Sequence, residues 1–172
     1  MKRKVVAMAL CFVIWLATIL YEIIYVETRL DTIVIIALIT IQLVASINDL
    51  YNKTISLKLL FIGMLMGYAG FLWLYQADVI RNQILGGVAA FLTMALLMVL
   101  SKSQIGGGDL WLMTVTGFFT GIYSCFSILF VSITLAGICS LMLLITKKVD
   151  RRTEIPFAPF ILIATVVLMF SQ

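Results

Sequence analysis

Charged residues divide this chain into long silent stretches. Uncharged runs cover 17 residues (Val5 to Tyr21), 17 (Thr32 to Asn48), 19 (Leu59 to Ala77), 20 (Asn82 to Ser101), 37 (Leu110 to Thr146) and 18 (Ile155 to Gln172). Five of these match the roughly 20 residues with which a helix crosses a bilayer. The fifth run does not: as one helix, 37 residues would reach about 55 Å, against a hydrocarbon core of about 30 Å. It is expected to fold as two helices, broken between Gly117 and Ser124, where Gly117, Gly121 and Ser124 loosen the apolar pattern. The pattern therefore predicts an all-α fold, a polytopic membrane helix bundle of about seven transmembrane helices. Residues 1–172 read as a single domain without a soluble module, low-complexity tract or long linker.

Composition agrees. At 63% hydrophobic residues, 12% charged residues and a mean hydropathy of +1.18, the chain has too few charges to cover a soluble globule. Basic residues then orient it. With the N-terminus in the cytosol, Lys2, Arg3, Lys4, Lys53, Lys58, Lys102, Lys147, Lys148, Arg151 and Arg152 lie inside, and only Arg29 and Arg81 lie outside. That asymmetry is the positive-inside pattern. An unbroken fifth run would move the 147–154 loop to the other side and destroy it, so the split and the orientation support each other. The net charge of +4 reflects this asymmetry and does not point to nucleic acid. The basic start followed by an apolar run has the outline of a signal peptide, but no Ala-x-Ala site closes it, and an uncleaved first span is expected.

Little conventional chemistry is left. Histidine is absent, which removes Ser-His-Asp and Cys-His nucleophilic arrangements and the usual histidine metal sites. Cys11, Cys125 and Cys139 each sit inside an apolar run and form no Cys-x-x-Cys pair, so they read as small core residues. Neither a dinucleotide fingerprint nor a phosphate loop is present, and no metal or cofactor is expected. Carboxylates remain. Glu22, Glu27, Asp31 and Asp78 fall in expected outer loops, and Asp150 and Glu154 stand among four basic residues. Asp49 and Asp109 differ, since each abuts a span with no basic residue within three positions. A carboxylate at a membrane edge is costly unless it has a task. Two carboxylates brought together can share a proton, one acting as base toward water while the other donates to a carbonyl. Gly106, Gly107 and Gly108 precede Asp109; Gly106 and Gly108 are expected to let the chain turn sharply and a substrate backbone approach Asp109 closely. Helix ends set roles: Asp109 at a helix start reads as the water-activating base, and Asp49 at a helix end as the acid that polarises the carbonyl.

Three ordered segments resemble a known family. Gly106-Gly107-Gly108-Asp109-Leu110-Trp111-Leu112-Met113, continuing to Gly117-Phe118-Phe119-Thr120-Gly121, is similar to the Gly-x-Gly-Asp motif of the type IV prepilin peptidases, which are intramembrane aspartic proteases. Ser46 to Ile55 resembles the segment of the family's first aspartate. Thr153-Glu154-Ile155-Pro156-Phe157-Ala158-Pro159-Phe160 resembles the Pro-Phe-x-Pro-Phe entry to the last helix. The chain departs from the pattern at Ile55-Ser56-Leu57, where the family usually reads Ile-Pro-Asn, and at Trp111, where a lysine is common.

The resemblance implies a membrane aspartic endopeptidase with Asp49 and Asp109 as catalytic residues. Its substrate would be a prepilin-like membrane protein whose basic leader stays in the cytosol, cut at the cytosolic face of the inner or cytoplasmic membrane. Asp150, Glu154, Pro156 and Phe157 are candidate substrate contacts. The first span begins at Val5, so no methyl transfer is expected. The inner segments hold ten basic and four acidic residues, a net +6 that repels a basic leader at long range. Recognition then falls to local acids, the membrane-embedded stem or a less basic leader. Two other classes stay open: a non-catalytic scaffold for pilus or secretion-system assembly, and a proton- or ion-coupled transporter.

Overall fold

Backbone hydrogen bonds must close within each segment in lipid, so an apolar chain of this kind folds as helices. The computed structural model describes residues 2–25, 29–74, 77–101, 106–146 and 156–169, and every element among them is helical. In chain order they are α1 (Lys2–Tyr25), α2 (Arg29–Asn52), α3 (Leu57–Leu74), α4 (Ala77–Leu100), α5 (Gly107–Ile145) and α6 (Ala158–Met169). Among the described residues, Val34–Asn52, Asp78–Leu100 and Gly107–Ile145 are long and apolar enough to cross a membrane, and Val5–Tyr21 and Ala158–Met169 are shorter apolar helices. The fold is an all-α membrane helix bundle.

The 39-residue α5 is not one rod. Gly121 stands inside it at φ 76°, ψ 179°, within the window where the break was expected. That left-handed φ favours glycine, and it separates a first half (107–120) from a second (122–145). The described chain thus has seven helical segments. Elsewhere the helices outrun the uncharged runs. Glu22 lies within α1, Asp31 within α2, and Asp78 and Arg81 within α4, so none of these three acids occupies a loop. Asp78 falls in the first turn of α4, where a helix start favours a negative charge.

Glycines set how closely α4 and α5 pack. A methyl on Gly86 would lie 2.5 Å from the Gly117 carbonyl oxygen, and one on Gly117 would lie 2.5 Å from the Gly86 oxygen. Small residues that bring backbones together are a main source of helix association in lipid. The pair runs antiparallel: Asn82 meets Gly121 at one end, and Phe91 stacks obliquely on Trp111 at the other, with ring centroids 5.7 Å apart.

α2, the first half of α5 and α6 form the centre of the bundle. Leu38, Leu112, Met113, Ala158 and Ile161 are buried in one cluster, with Cys125 among its members. A second cluster joins Cys11 of α1 to Ile39, Leu43, Leu162 and Val166; Cys11 and Cys125 are thus small core residues as expected, whereas Cys139 is half-buried and belongs to neither cluster. Hydroxyls inside the helices mostly bond back to their own backbone, as from Thr18 to Ile14, Thr40 to Ile36 and Ser132 to Ile128. Outward-facing Val13, Phe61, Leu92 and Phe130 are exposed, which suits a surface solvated by lipid.

Candidate active site

Asp49 lies in the last turn of α2 and is buried at 7% exposure. α2 closes just beyond it: the Lys53 N–H donates to the Asp49 carbonyl at 3.0 Å, with Lys53 at φ 52°. A residue in that left-handed region is a common helix stop, and here it turns the chain toward Thr54 and Ile55. Lys53 also brings its charge to bear on the Asp49 carboxylate. Lys53 is four positions from Asp49 and lies beyond the end of α2, where the left-handed turn folds the chain back at the cavity.

The partner of the Asp49 side chain comes from the far end of the sequence. Its Oδ2 accepts the Ala158 N–H at 3.1 Å, at the start of α6. A helix start leaves four N–H groups without intrahelical acceptors, and the residues before Ala158 are Pro156 and Phe157, neither with a capping side chain. The Phe157 N–H acts on the same carboxylate. Pro159 has no N–H, and the Phe160 N–H donates to the Phe157 carbonyl at 3.0 Å, ahead of the first ordinary helical bond, from the Ile161 N–H to that carbonyl at 3.4 Å. The Pro-Phe-x-Pro-Phe segment therefore builds a helix start that needs an acceptor from elsewhere, and Asp49 supplies it. Pro156 and Phe157, expected as substrate contacts, are placed as the entry to α6; the Phe157 side chain packs against the core while its N–H acts on the Asp49 carboxylate, and neither residue is among those lining the cavity at the acids. Asp150 and Glu154 lie outside the described residues.

Asp109 is the third residue of α5, inside the first turn and not ahead of it. Its carboxylate folds back toward the Gly106 N–H, the arrangement of an acid at the third position of a capping box. Gly106 is extended at φ −67°, ψ 139°, and among the described residues only Lys53 and Gly121 have a positive φ. The turn into α5 thus uses ordinary backbone angles, contrary to the expectation that it demands glycine conformationally. Space is what the glycines provide. A methyl on Gly108 would lie 2.8 Å from Ile55 Cβ, one on Gly106 would lie 3.3 Å from Asp109 Oδ2, and one on Gly107 would meet nothing within 4 Å.

The two acids share one cavity of about 370 Å³, lined by Asp49, Lys53, Thr54, Ile55, Leu57, Gly106, Gly107, Gly108, Asp109 and Trp111. They are near enough for the charge of Asp49 to act on Asp109. Each also faces a helix start, Asp109 on α5 and Asp49 on α6, so the helix-end contrast that assigned them separate roles does not distinguish them. Sequence reasoning missed Lys53, Thr54 and Ile55 as wall residues, and it treated Leu57 and Trp111 only as departures from a pattern. A second, largely apolar cavity of about 580 Å³ adjoins this one, sharing Leu57 and Trp111 and bounded further by Lys58, Leu60, Phe61, Ile62, Met64 and Val115. Among the described residues, no group of three His, Cys, Asp or Glu side chains is placed to hold a metal ion.

Fold and site together define a polytopic membrane protein with two acids on one cavity at one end of its helix bundle. Residues 36–141, which include both acids, match the profile of the type IV leader peptidase family, and the chain belongs to that family. It is 31% identical over 78 residues to the prepilin leader peptidase/N-methyltransferase of Bacillus subtilis (strain 168). That match covers 45% of this chain and 32% of the relative. No solved structure matches the chain significantly.

Proposed function

We propose that this protein is a membrane-embedded aspartic endopeptidase that removes the basic leader from type IV prepilin-like proteins at the cytosolic face of the membrane. One observation carries the proposal: α2 and α5 deliver Asp49 and Asp109 into the same cavity. In the mechanism, one carboxylate takes a proton from water as its oxygen attacks the scissile carbonyl, while the protonated partner donates to the carbonyl oxygen. The tetrahedral intermediate then collapses as the amine leaves with a proton. Lys53 at the cavity and the basic residues assigned inside support a cytosolic site. Because those inner segments repel a basic leader, the apolar stem of the substrate supplies the affinity. The apolar cavity joined to the site at Leu57 and Trp111 is a fitting surface for it.

One observation favours a non-catalytic scaffold: both acids cap helix starts, a structural task in itself. Substitution by asparagine separates the readings, because Asn caps a helix about as well as Asp but cannot cycle a proton. Asp49→Asn and Asp109→Asn, reconstituted in vesicles with a substrate carrying a basic leader and an apolar stem, should each lose about 10²- to 10⁴-fold or more in cleavage rate. The double variant should be no worse than either single one. Near wild-type cleavage by either single variant would refute the two-aspartate mechanism.

A further inference from the structure

Three helices build the candidate site: α2 carries Asp49, α5 carries Asp109 and α6 presents the Ala158 N–H. Seven residues deeper along each stands a buried polar side chain, Gln42 on α2, Thr116 on α5 and Thr165 on α6. Seven residues make almost two turns, so each of the three shares a helix face with its site residue, about 10 Å further into the bundle. The three meet. Gln42 Nε2 donates to Thr116 Oγ1 and to Thr165 Oγ1, each at 3.0 Å. Between Gln42 and Asp49, Ser46 donates to the Gln42 carbonyl at 2.7 Å and is also buried.

Thr116 Oγ1 donates to the Leu112 carbonyl and Thr165 Oγ1 to the Ile161 carbonyl, both at 2.9 Å. A hydroxyl has one proton to give, so with those protons on the helix carbonyls both threonines accept from Gln42 Nε2, while Gln42 Oε1 is buried with no hydrogen-bond partner. Gln42 and Thr116 are 0% exposed and Thr165 is 1%. Deep in a membrane bundle, water does not compensate a lost partner, and a slip of one helix by one residue, about 1.5 Å, would break the set.

We infer that Gln42, Thr116 and Thr165 form a polar clamp that locks the register of α2, α5 and α6 and so holds Asp49 opposite Asp109. Gln42 is a positioning residue, acting through the helix that carries Asp49. The effect on turnover rests on the proteolytic reading above; the effect on register rests on the geometry alone.

Two threonine pairs test the clamp. Thr116→Val/Thr165→Val keeps shape and removes the hydroxyls, whereas Thr116→Ser/Thr165→Ser keeps the hydroxyls and removes methyls. The Val pair should lower kcat about tenfold or more, as expected for a slight misplacement of reacting groups, with KM unchanged. The Ser pair should stay close to wild type. A packing role orders the pairs the other way and would overturn the inference. The triple variant Gln42→Leu/Thr116→Val/Thr165→Val removes the network without stranding a buried amide, so it should melt no lower than wild type and still turn over slowly.

A reporter independent of catalysis completes the test. With Cys11, Cys125 and Cys139 replaced by alanine, Ile55→Cys/Gly108→Cys places one thiol on the loop that follows α2 and one at the start of α5, with Cβ atoms 2.8 Å apart, so the disulfide forms only as the two segments part by about 1 Å. Loss of the clamp frees that motion, so oxidation to the disulfide should quicken several-fold when the triple variant is added. Wild-type kcat and wild-type oxidation rate in the triple background would overturn the clamp. Should the unmodified protein cleave nothing while oxidation still quickens, the proteolytic reading falls and the register lock stands.

Discussion

Replacing Gly108 by alanine should damage the site, and replacing its neighbour Gly107 should not. The added methyl at 108 would lie 2.8 Å from Ile55 Cβ, 3.2 Å from its Cγ1 and 3.4 Å from its Cδ1. Carbon atoms rest at about 3.5–4.0 Å, so the nearest pair must separate by about 1 Å. Rotating the Ile55 side chain moves Cγ1 and Cδ1 but leaves Cβ in place, because Cβ is fixed to the backbone. The relief must therefore come from the loop carrying Ile55 or from the start of α5. Overpacking of this kind costs about 1–3 kcal/mol, offset by up to about 1 kcal/mol from the better helix propensity of alanine. At Gly107 nothing lies within 4 Å, so only the propensity gain remains.

The start of α5 also carries Asp109, which couples this stability effect to activity. A shift of about 1 Å in a reacting group lowers turnover by about 10²-fold. Gly108→Ala should therefore melt lower in detergent and cleave about 100 times more slowly, whereas Gly107→Ala should melt slightly higher and cleave at close to the wild-type rate. Adding Ile55→Gly, which removes the opposing Cβ, should restore part of the activity of Gly108→Ala. Equal damage from the two alanines would refute the packing argument and return the glycines to the role expected from sequence, close approach of a substrate backbone.

Three further outcomes follow from the geometry. Lys53→Gly should raise the melting temperature, because a left-handed φ of 52° costs a side-chain-bearing residue about 1–2 kcal/mol; a lower melting temperature would mean that the interactions of the Lys53 side chain outweigh this strain. Gly117→Val should prevent close packing of α4 on α5 and sharply reduce the yield of monodisperse protein, whereas Gly137→Ala, with nothing within 4 Å, should not; equal yields would remove the glycine contact from the bundle's foundations. In a background without native cysteines, an impermeant thiol reagent should label Lys53→Cys only from the cytosolic side and Asp78→Cys only from the other, and labelling of both from one side would refute the proposed topology.

Charge patterning and backbone termination answer different questions, which explains what the sequence allowed and what it hid. Uncharged runs mark the stretch that sits in a low dielectric, so they reveal how many helices there are. They do not reveal where each ends: α1 continues to Tyr25, past Glu22, and α4 begins at Ala77, ahead of Asp78 and Arg81, because a helix persists wherever its N–H and C=O groups still find partners. Gly121 was legible within a few residues because a 37-residue run exceeds any bilayer, whatever its chemistry. Asp49 and Asp109 were legible because charge at a membrane edge is rare. Their partners were not, since Ala158 lies 109 positions from Asp49 and offers only a backbone N–H. The clamp was hidden more completely. Thr116 and Thr165 satisfy themselves on their own helices and read there as ordinary membrane residues. Their shared offset from Asp109 and Ala158 acquires meaning only once α2, α5 and α6 are known to be neighbours, and the same adjacency is what brings the two acids together.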